Sequence, residues 1–429
     1  MSYGLAAGLS RAGGLLSIPI AAHALSLAET GHYAMGMALV QVLSHVLSLG
    51  GGAAVSREGS SSPRLARALA IQFSLLALVL AVLLSFFVSL LRLESLWILF
   101  IYLAAHEAMQ QLMQLVLRAE DRVIPFLVFS VIKTFLWVLI SGMLLVLSPI
   151  KYLSIETWLT LQLGVYSLVS LLFIFFRQEQ KTADVSADVR AQGFFHHMPY
   201  CLPLIIHGLA QWVVNSSDKL VIGWILGNEQ LGIYSLAYTV ASVLLVLLHG
   251  LAVYLPHEIM KNMDKWLSPV VRFSFIKRYI FVYVLTYTVL LIAFLFDYKF
   301  IGILKYYHSS MPTIVGIVSA GFLLLGIYQV YVCFLFAVKD TVNLTKITLF
   351  ISLTYLAYLF LFVYLFNTIG AALSTLLSYA LYAIIVRRAA SKVIFCDEQY
   401  IRGETHIALY GVLYCLSLGL IASYIMSFL

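Results

Sequence analysis

Asp218 and Lys219 stand side by side in the run NSSDKLVIGWILGNEQLGIYS, Asn215 to Ser235, whose other residues are mostly apolar until it breaks at Gly227-Asn228. Two further bases, Arg11 and Lys133, sit in equally apolar surroundings. An ionised side chain at the centre of a bilayer costs about 2.5 to 3.5 kcal/mol, so the four together represent about 10 kcal/mol unless paired or hydrated. They must face a protein interior, and a cavity with a surplus of bases suits a phosphate or pyrophosphate. Two of them have a competing reading. Asp218 makes a structural ion pair with a base on another helix, because neighbours along a helix point about 100° apart and do not easily share one partner. Arg11 snorkels to the inner interface.

A second constellation is His106, Gln110 and Gln114, spaced i, i+4 and i+8, with Glu107 and Gln111 on the adjacent row. This is a polar stripe on an apolar helix. Imidazoles and amides hydrogen-bond sugar hydroxyls, and a desolvated Glu107 titrates or binds a cation, which makes Glu107 and Asp218 the candidates for ion coupling. The alternative is hydrogen bonding between helices. His45 and His207 read as satisfied core histidines, and Tyr234 as an interfacial belt residue. Cys201, Cys333, Cys396 and Cys415 have no metal-ligand spacing and read as buried thiols, so neither a metal nor a cofactor is expected. The sequon Asn215-Ser216-Ser217 lies inside a span, out of reach of glycosylation.

The elements that must hold these residues follow from composition. The 429 residues are 62% hydrophobic and 10% charged, and mean hydropathy is +0.99, which marks an integral membrane protein. Thirteen apolar runs are long enough to cross a bilayer as helices: 4–27, 32–55, 68–91, 96–117, 123–147, 155–176, 196–226, 230–255, 273–296, 312–337, 343–366, 368–387 and 406–428. Unbroken runs of this length exclude a β-barrel and predict an all-α polytopic membrane protein. Ala22-His23-Ala24 fits a signal-cleavage pattern, but no base precedes the apolar stretch, so a retained first helix is expected. Of the 26 Lys and Arg, 19 fall in the connections after even-numbered spans or at the span ends beside them, four on the opposite side and three deep within spans; the positive-inside rule then puts the N-terminus in the cytoplasm and the C-terminus outside. The net charge of +7 is accounted for by loops facing anionic lipid, with no nucleic-acid partner. The longest loops, about 178–194 and 256–272, are too short for a catalytic domain.

The chain also matches itself. Gly31-His32-Tyr33 corresponds to Gly232-Ile233-Tyr234 at an offset of 201, and Leu117 to Arg122 corresponds to Phe336 to Thr341 at an offset of 219. Units of six spans share one topology and are expected to be related by a pseudo-two-fold axis along the membrane normal. The predicted organisation is an N-terminal lobe over 1–177, a cytoplasmic linker over 178–195, a C-terminal lobe over 196–388, and a connection with an extra helix over 389–429.

The stretch Ser216 to Tyr238, with Gly31-His32-Tyr33 after the first helix, resembles the Wzx-type polysaccharide flippases of the multidrug/oligosaccharidyl-lipid/polysaccharide exporter superfamily. The resemblance covers residues 4 to 388 and rests on diffuse motifs. It implies two lobes around a cationic cavity and a substrate that is an undecaprenyl-pyrophosphate-linked oligosaccharide, turned between leaflets of a bacterial inner membrane by alternating access. It also implies service to O-antigen (lipopolysaccharide), capsule or exopolysaccharide assembly, beside a polysaccharide polymerase and a chain-length regulator. Asp218 and Lys219 stand in the matching motif, and Arg11 fits the family's base in the first helix; Lys133 and the His106 stripe rest on their own chemistry. Thirteen spans depart from the family's usual twelve or fourteen.

Two other classes compete. A cation-coupled drug or metabolite antiporter of the same superfamily needs a coupling carboxylate, and the predominance of bases over acids among the candidate cavity residues argues against it. A membrane polymerase, ligase or glycosyltransferase needs a large outer loop or a paired-carboxylate face, and the longest outer connection, 297–311, is short.

Overall fold

A computed structural model describes residues 16–59, 62–147, 153–175, 194–302, 304–338, 340–394 and 398–428, and every regular element among them is helical. After a helical segment over 16–24 come α1 (Leu27–Leu47), α2 (Gly51–Gly59), α3 (Pro63–Leu90), α4 (Ser95–Ala119), α5 (Val123–Leu147), α6 (Ile155–Phe175) and α7 (Phe194–Ile225). They are followed by α8 (Asn228–Ser242), α9 (Leu245–Lys261), α10 (Met263–Leu267), α11 (Pro269–Phe296), a π-helical turn (Asp297–Ile301), α12 (Met311–Ala337), α13 (Thr341–Ala390) and α14 (Glu398–Phe428). Among the described residues five helices are long and apolar enough to cross a membrane alone, or seven when each of two bent pairs counts as one span. Contacts divide the chain into two compact units, one with Tyr33–Trp212 and the other with Leu15–His32 and Val213–Leu429.

In the first unit α3 carries the mark of a lipid environment. It buries Ala66, Ala70, Ala77 and Ala81 while exposing Leu75, Val79, Leu83, Phe86 and Leu90. Water would reverse that order. In lipid, small side chains let helices approach and large apolar ones face the acyl chains. The span expected over 32–55 is two helices, α1 and α2, meeting at 60°. Leu49 (φ 47°) and Gly50 (φ 67°) are left-handed there, and a Cβ on Gly50 would lie 2.9 Å from the Cys201 carbonyl. The span over 230–255 is also bent, by 50° between α8 and α9, and the loop expected over 256–272 holds the end of α9 and all of α10.

The first span ends earlier than its hydropathy predicts. Ser26 caps α1 in a capping box, its hydroxyl 2.7 Å from Glu29 Oε2 and the Ser26 N–H donating to the same oxygen at 3.0 Å. Gly31-His32-Tyr33 therefore lies one turn inside α1 and not at its start. Helices α1 and α8 begin at Leu27 and Asn228, and 228 − 27 reproduces the offset of 201. Helices α4 and α12 end at Ala119 and Ala337, a difference of 337 − 119 = 218, one less than the sequence alignment. Within the second unit the two N-terminal turns cross reciprocally. A Cβ on Gly31 would lie 1.9 Å from the Asn228 carbonyl oxygen, and one on Gly232 would lie 2.5 Å from that of Leu27.

The second unit turns a row of tyrosines inward. Tyr279, Tyr283 and Tyr287, one turn apart on α11, are buried and not interfacial. Their hydroxyls donate to the carbonyls of Leu323 (3.1 Å), Ser319 (2.6 Å) and Cys415 (2.9 Å) on α12 and α14, while Phe281, Leu285, Val289 and Ile292 are exposed. Helix α14 is integral to this unit: Gly316 and Gly419 cross with a would-be Cβ on Gly419 only 2.9 Å from the Pro312 carbonyl. Helix α13 is a hairpin, because a Cβ on Gly370 would lie 1.8 Å from the Phe362 carbonyl, whereas eight residues of straight helix span about 12 Å. The reversal occurs at Asn367, with φ 55° and ψ −138°, at the boundary expected between the eleventh and twelfth spans.

Candidate functional site

Asp218 and Lys219 lie near the end of α7, and Gly227 turns the chain into α8 with φ 85°, a conformation that favours glycine. Asp218 is seven residues before the end of α7 and Tyr234 six residues into α8, so the reversal brings them level. The Tyr234 hydroxyl donates to Asp218 Oδ2 at 2.6 Å. The other carboxylate oxygen accepts from the Lys219 backbone N–H at 2.9 Å and from its Nζ at 3.3 Å. One turn on, the Tyr238 ring lies under the Lys219 ammonium, 4.2 Å from Nζ to centroid. Thus one face of α8 receives both charges: a phenol for the acid and a π-face for the base. The i, i+1 neighbours expected to point apart do meet, because the four-carbon lysine stem folds back. Phe322 packs on Tyr238 and Tyr379, and the Tyr379 hydroxyl donates to Asn215 Oδ1 at 3.1 Å. The Asp218 side chain is 2% exposed and that of Lys219 12%. The base therefore keeps limited access to a polar ligand, while the acid is enclosed.

Tyr234 is fully buried, which corrects its reading as a belt residue. Asp218 and Tyr234 are spaced nearly equally about Gly227, but only the reversal of the chain there turns that spacing into a contact. Its counterpart in the repeat, Tyr33, is also buried and donates to Gln162 Oε1 at 3.1 Å.

In the first unit that bond opens a polar network. Gln162 donates on to the Tyr166 hydroxyl at 3.1 Å. Tyr166 meets His106 edge to face, and Glu107 acts electrostatically on Tyr166. Ser170 lies 3.3 Å from His106 Nε2 and accepts from Gln110 Nε2 at 3.4 Å. His106 and Gln110 thus bond α4 to α6, the interhelical alternative of the sequence reading. Gln114 is half-buried on the same helix. His45, expected in the core, is exposed, its Nδ1 2.9 Å from the Gln41 carbonyl. Arg11, Cys396 and the side chains of Lys133 and His207 lie outside the described residues, and Cys201, Cys333 and Cys415 are buried. Among the described residues no three His, Cys, Asp or Glu side chains are grouped to hold a metal.

Comparison with known proteins gives three findings. Residues 1–256 match the family model described as polysaccharide biosynthesis protein. Across 94% of the chain the fold resembles a multidrug resistance MATE family transporter of the MOP superfamily, the multidrug/oligosaccharidyl-lipid/polysaccharide exporters. The inward-facing form covers 95% of that chain at TM-score 0.60 and 16% identity, and the outward-facing form covers 94% at TM-score 0.56 and 13% identity. No curated protein sequence matches.

Proposed function

Because the chain belongs to the polysaccharide biosynthesis protein family and has the multi-pass fold of MOP-superfamily transporters, we propose that it is a flippase for undecaprenyl-pyrophosphate-linked oligosaccharides. It moves repeat units for O-antigen, capsule or exopolysaccharide from the cytoplasmic to the outer leaflet of a bacterial inner membrane. Membership of a polysaccharide biosynthesis family supports a glycan precursor as the cargo. The half-buried Lys219, held by Asp218 and the Tyr238 ring, supports the chemistry: with Arg11 and Lys133 it supplies positive charge for the pyrophosphate. Gln114, half-buried one turn beyond the His106 and Gln110 bonds to α6, faces the path of the glycan, and the prenyl tail stays in the bilayer. The architecture we propose has thirteen spans, a cytoplasmic N-terminus, two six-helix lobes and one added helix. The matching starts of α1 and α8 support the internal repeat, and a repeat of six spans implies a pseudo-two-fold axis along the membrane normal. Alternating access about that axis moves the substrate, with a polymerase and a chain-length regulator acting downstream.

The test is a null mutant scored for lipid-linked repeat units on the cytoplasmic side. Accumulation, relieved by the wild-type gene and not by Lys219→Ala or Lys133→Ala variants of normal abundance, is the expected result. Absence of accumulation rejects the flippase, and full activity of both alanine variants rejects the two bases. The likeness to a multidrug transporter favours one second reading, a cation-coupled antiporter using Asp218 or Glu107. Export of a cationic dye by purified protein against a sodium or proton gradient would establish it in place of the first.

A further inference from the structure

The break between α1 and α2 does more than bend a span. It opens a cavity of about 330 Å³ against α4, wholly within the first unit. On one side stand His45, Ser48, Ser56 and Gln111; the floor is apolar, with Leu112 and Leu115, and among the described residues no Lys, Arg, Asp or Glu lines it. Three consecutive glycines make the space. Gly50 and Gly51 seat the break tightly, since a Cβ on Gly51 would lie 2.4 Å from the Phe73 ring, and Gly52 leaves the wall bare beside Leu115.

The hydrogen-bonding capacity of the wall is specific. His45 Nδ1 faces the Gln41 carbonyl at 2.9 Å, and a carbonyl only accepts, so in the neutral ring Nδ1 carries the proton and Nε2 remains an acceptor. Gln111 adds an amide that both donates and accepts, and Ser56 adds a hydroxyl. Among the described residues neither side chain has another hydrogen-bond partner. An acceptor, an amide and a hydroxyl over an aliphatic floor match the two faces of a pyranose, hydroxyl edge and C–H face. With no lysine or arginine among the described lining residues, the site suits an uncharged ligand better than a phosphate. On the positive-inside orientation it lies in the cytoplasmic half of the second span, the side on which a lipid-linked sugar would enter.

We propose that this helix-break cavity is a binding subsite for a neutral sugar ring of the transported glycolipid, read by His45, Ser56 and Gln111. The proposal rests on the flippase reading for the identity of the glycolipid, but its test does not depend on transport. Full-length protein in nanodiscs is irradiated with polyprenyl-pyrophosphoryl hexose carrying a diazirine on the sugar, and labelled peptides are identified by mass spectrometry. Label within 41–58 and 108–115, competed by unlabelled polyprenyl-pyrophosphoryl hexose but not by polyprenyl pyrophosphate, is expected. Gln111→Leu should reduce that label about tenfold, the worth of one or two hydrogen bonds, and Ala108→Leu, which fills the floor from the apolar side, should do so without removing any polar group. Both variants are checked for unchanged elution and thermal unfolding, and if one fails the other decides. Label confined to other peptides overturns the subsite even if the null mutant accumulates repeat units. Equal competition by the sugarless lipid also overturns it, and makes the cavity a lipid groove. Label here without accumulation of repeat units in the null mutant upholds the subsite and rejects the flippase.

Discussion

Asp218 shows what a charged residue in an apolar helix has to arrange. Its carboxylate accepts three hydrogen bonds, from Tyr234 and from the backbone and side chain of Lys219, and removing one member of such a pair strands the other. Asp218→Ala is expected to lower stability by about 3 to 5 kcal/mol, the cost of breaking a buried pair. Asp218→Ala/Lys219→Met should recover much of that loss, because no orphan charge remains. Tyr234→Phe should cost about 1.5 to 3 kcal/mol, as for a hydrogen bond to a charged group. Thermal unfolding in detergent measures all three, and additive single and double losses would show that the pair is not coupled. The need for an interior partner was legible from the expense of charge in lipid. That the partner is a tyrosine sixteen residues on was not, because phenols at helix starts are common at interfaces and only the reversal at Gly227 puts this one beside the acid.

At the scale of elements, close backbone crossings replace the hydrophobic sorting of soluble proteins. Gly31→Ala and Gly232→Ala each place a Cβ against the carbonyl of the opposing helix, so α1 and α8 must separate. Both variants should unfold at lower temperature, and the double variant should lose less than the sum, since one displacement serves both. At the α13 hairpin the reverse holds: Asn367 occupies φ 55°, ψ −138°, a conformation costing a non-glycine residue of order 1 to 3 kcal/mol. Asn367→Gly should therefore raise the unfolding temperature and Asn367→Val lower it; a fall with glycine would show that the asparagine side chain holds the turn. Helix existence followed from the length of the apolar runs. The bends at Leu49-Gly50 and between α8 and α9 did not, because hydropathy is blind to backbone direction.

For the whole molecule, the charge asymmetry makes a topological prediction. In a Cys396→Ser background, Cys201, Cys333 and Cys415 are buried and should resist a membrane-impermeant maleimide. A cysteine at Ser309, exposed beside the loop that follows α11, should react in intact cells, and one at Ser186 only after permeabilisation. Labelling in the opposite sense would invert the orientation. The polytopic helical class and the offset of 201 follow from the amino-acid sequence, because bilayer thickness sets span length and a repeated unit keeps its spacing; the bias of basic loops toward anionic lipid gives the sidedness that the labelling tests. Tertiary structure alone decided the sorting of polar groups. It turned Tyr33, Tyr234 and the tyrosines of α11 inward to bond carboxylate, amide and carbonyl groups, spent His106 and Gln110 on a bond between α4 and α6, and left His45 and Gln111 beside an open cavity. A polar side chain reads alike in sequence whether it faces a ligand or a neighbouring helix; which it faces depends on where two helices cross, and that is a contact between residues far apart in the chain.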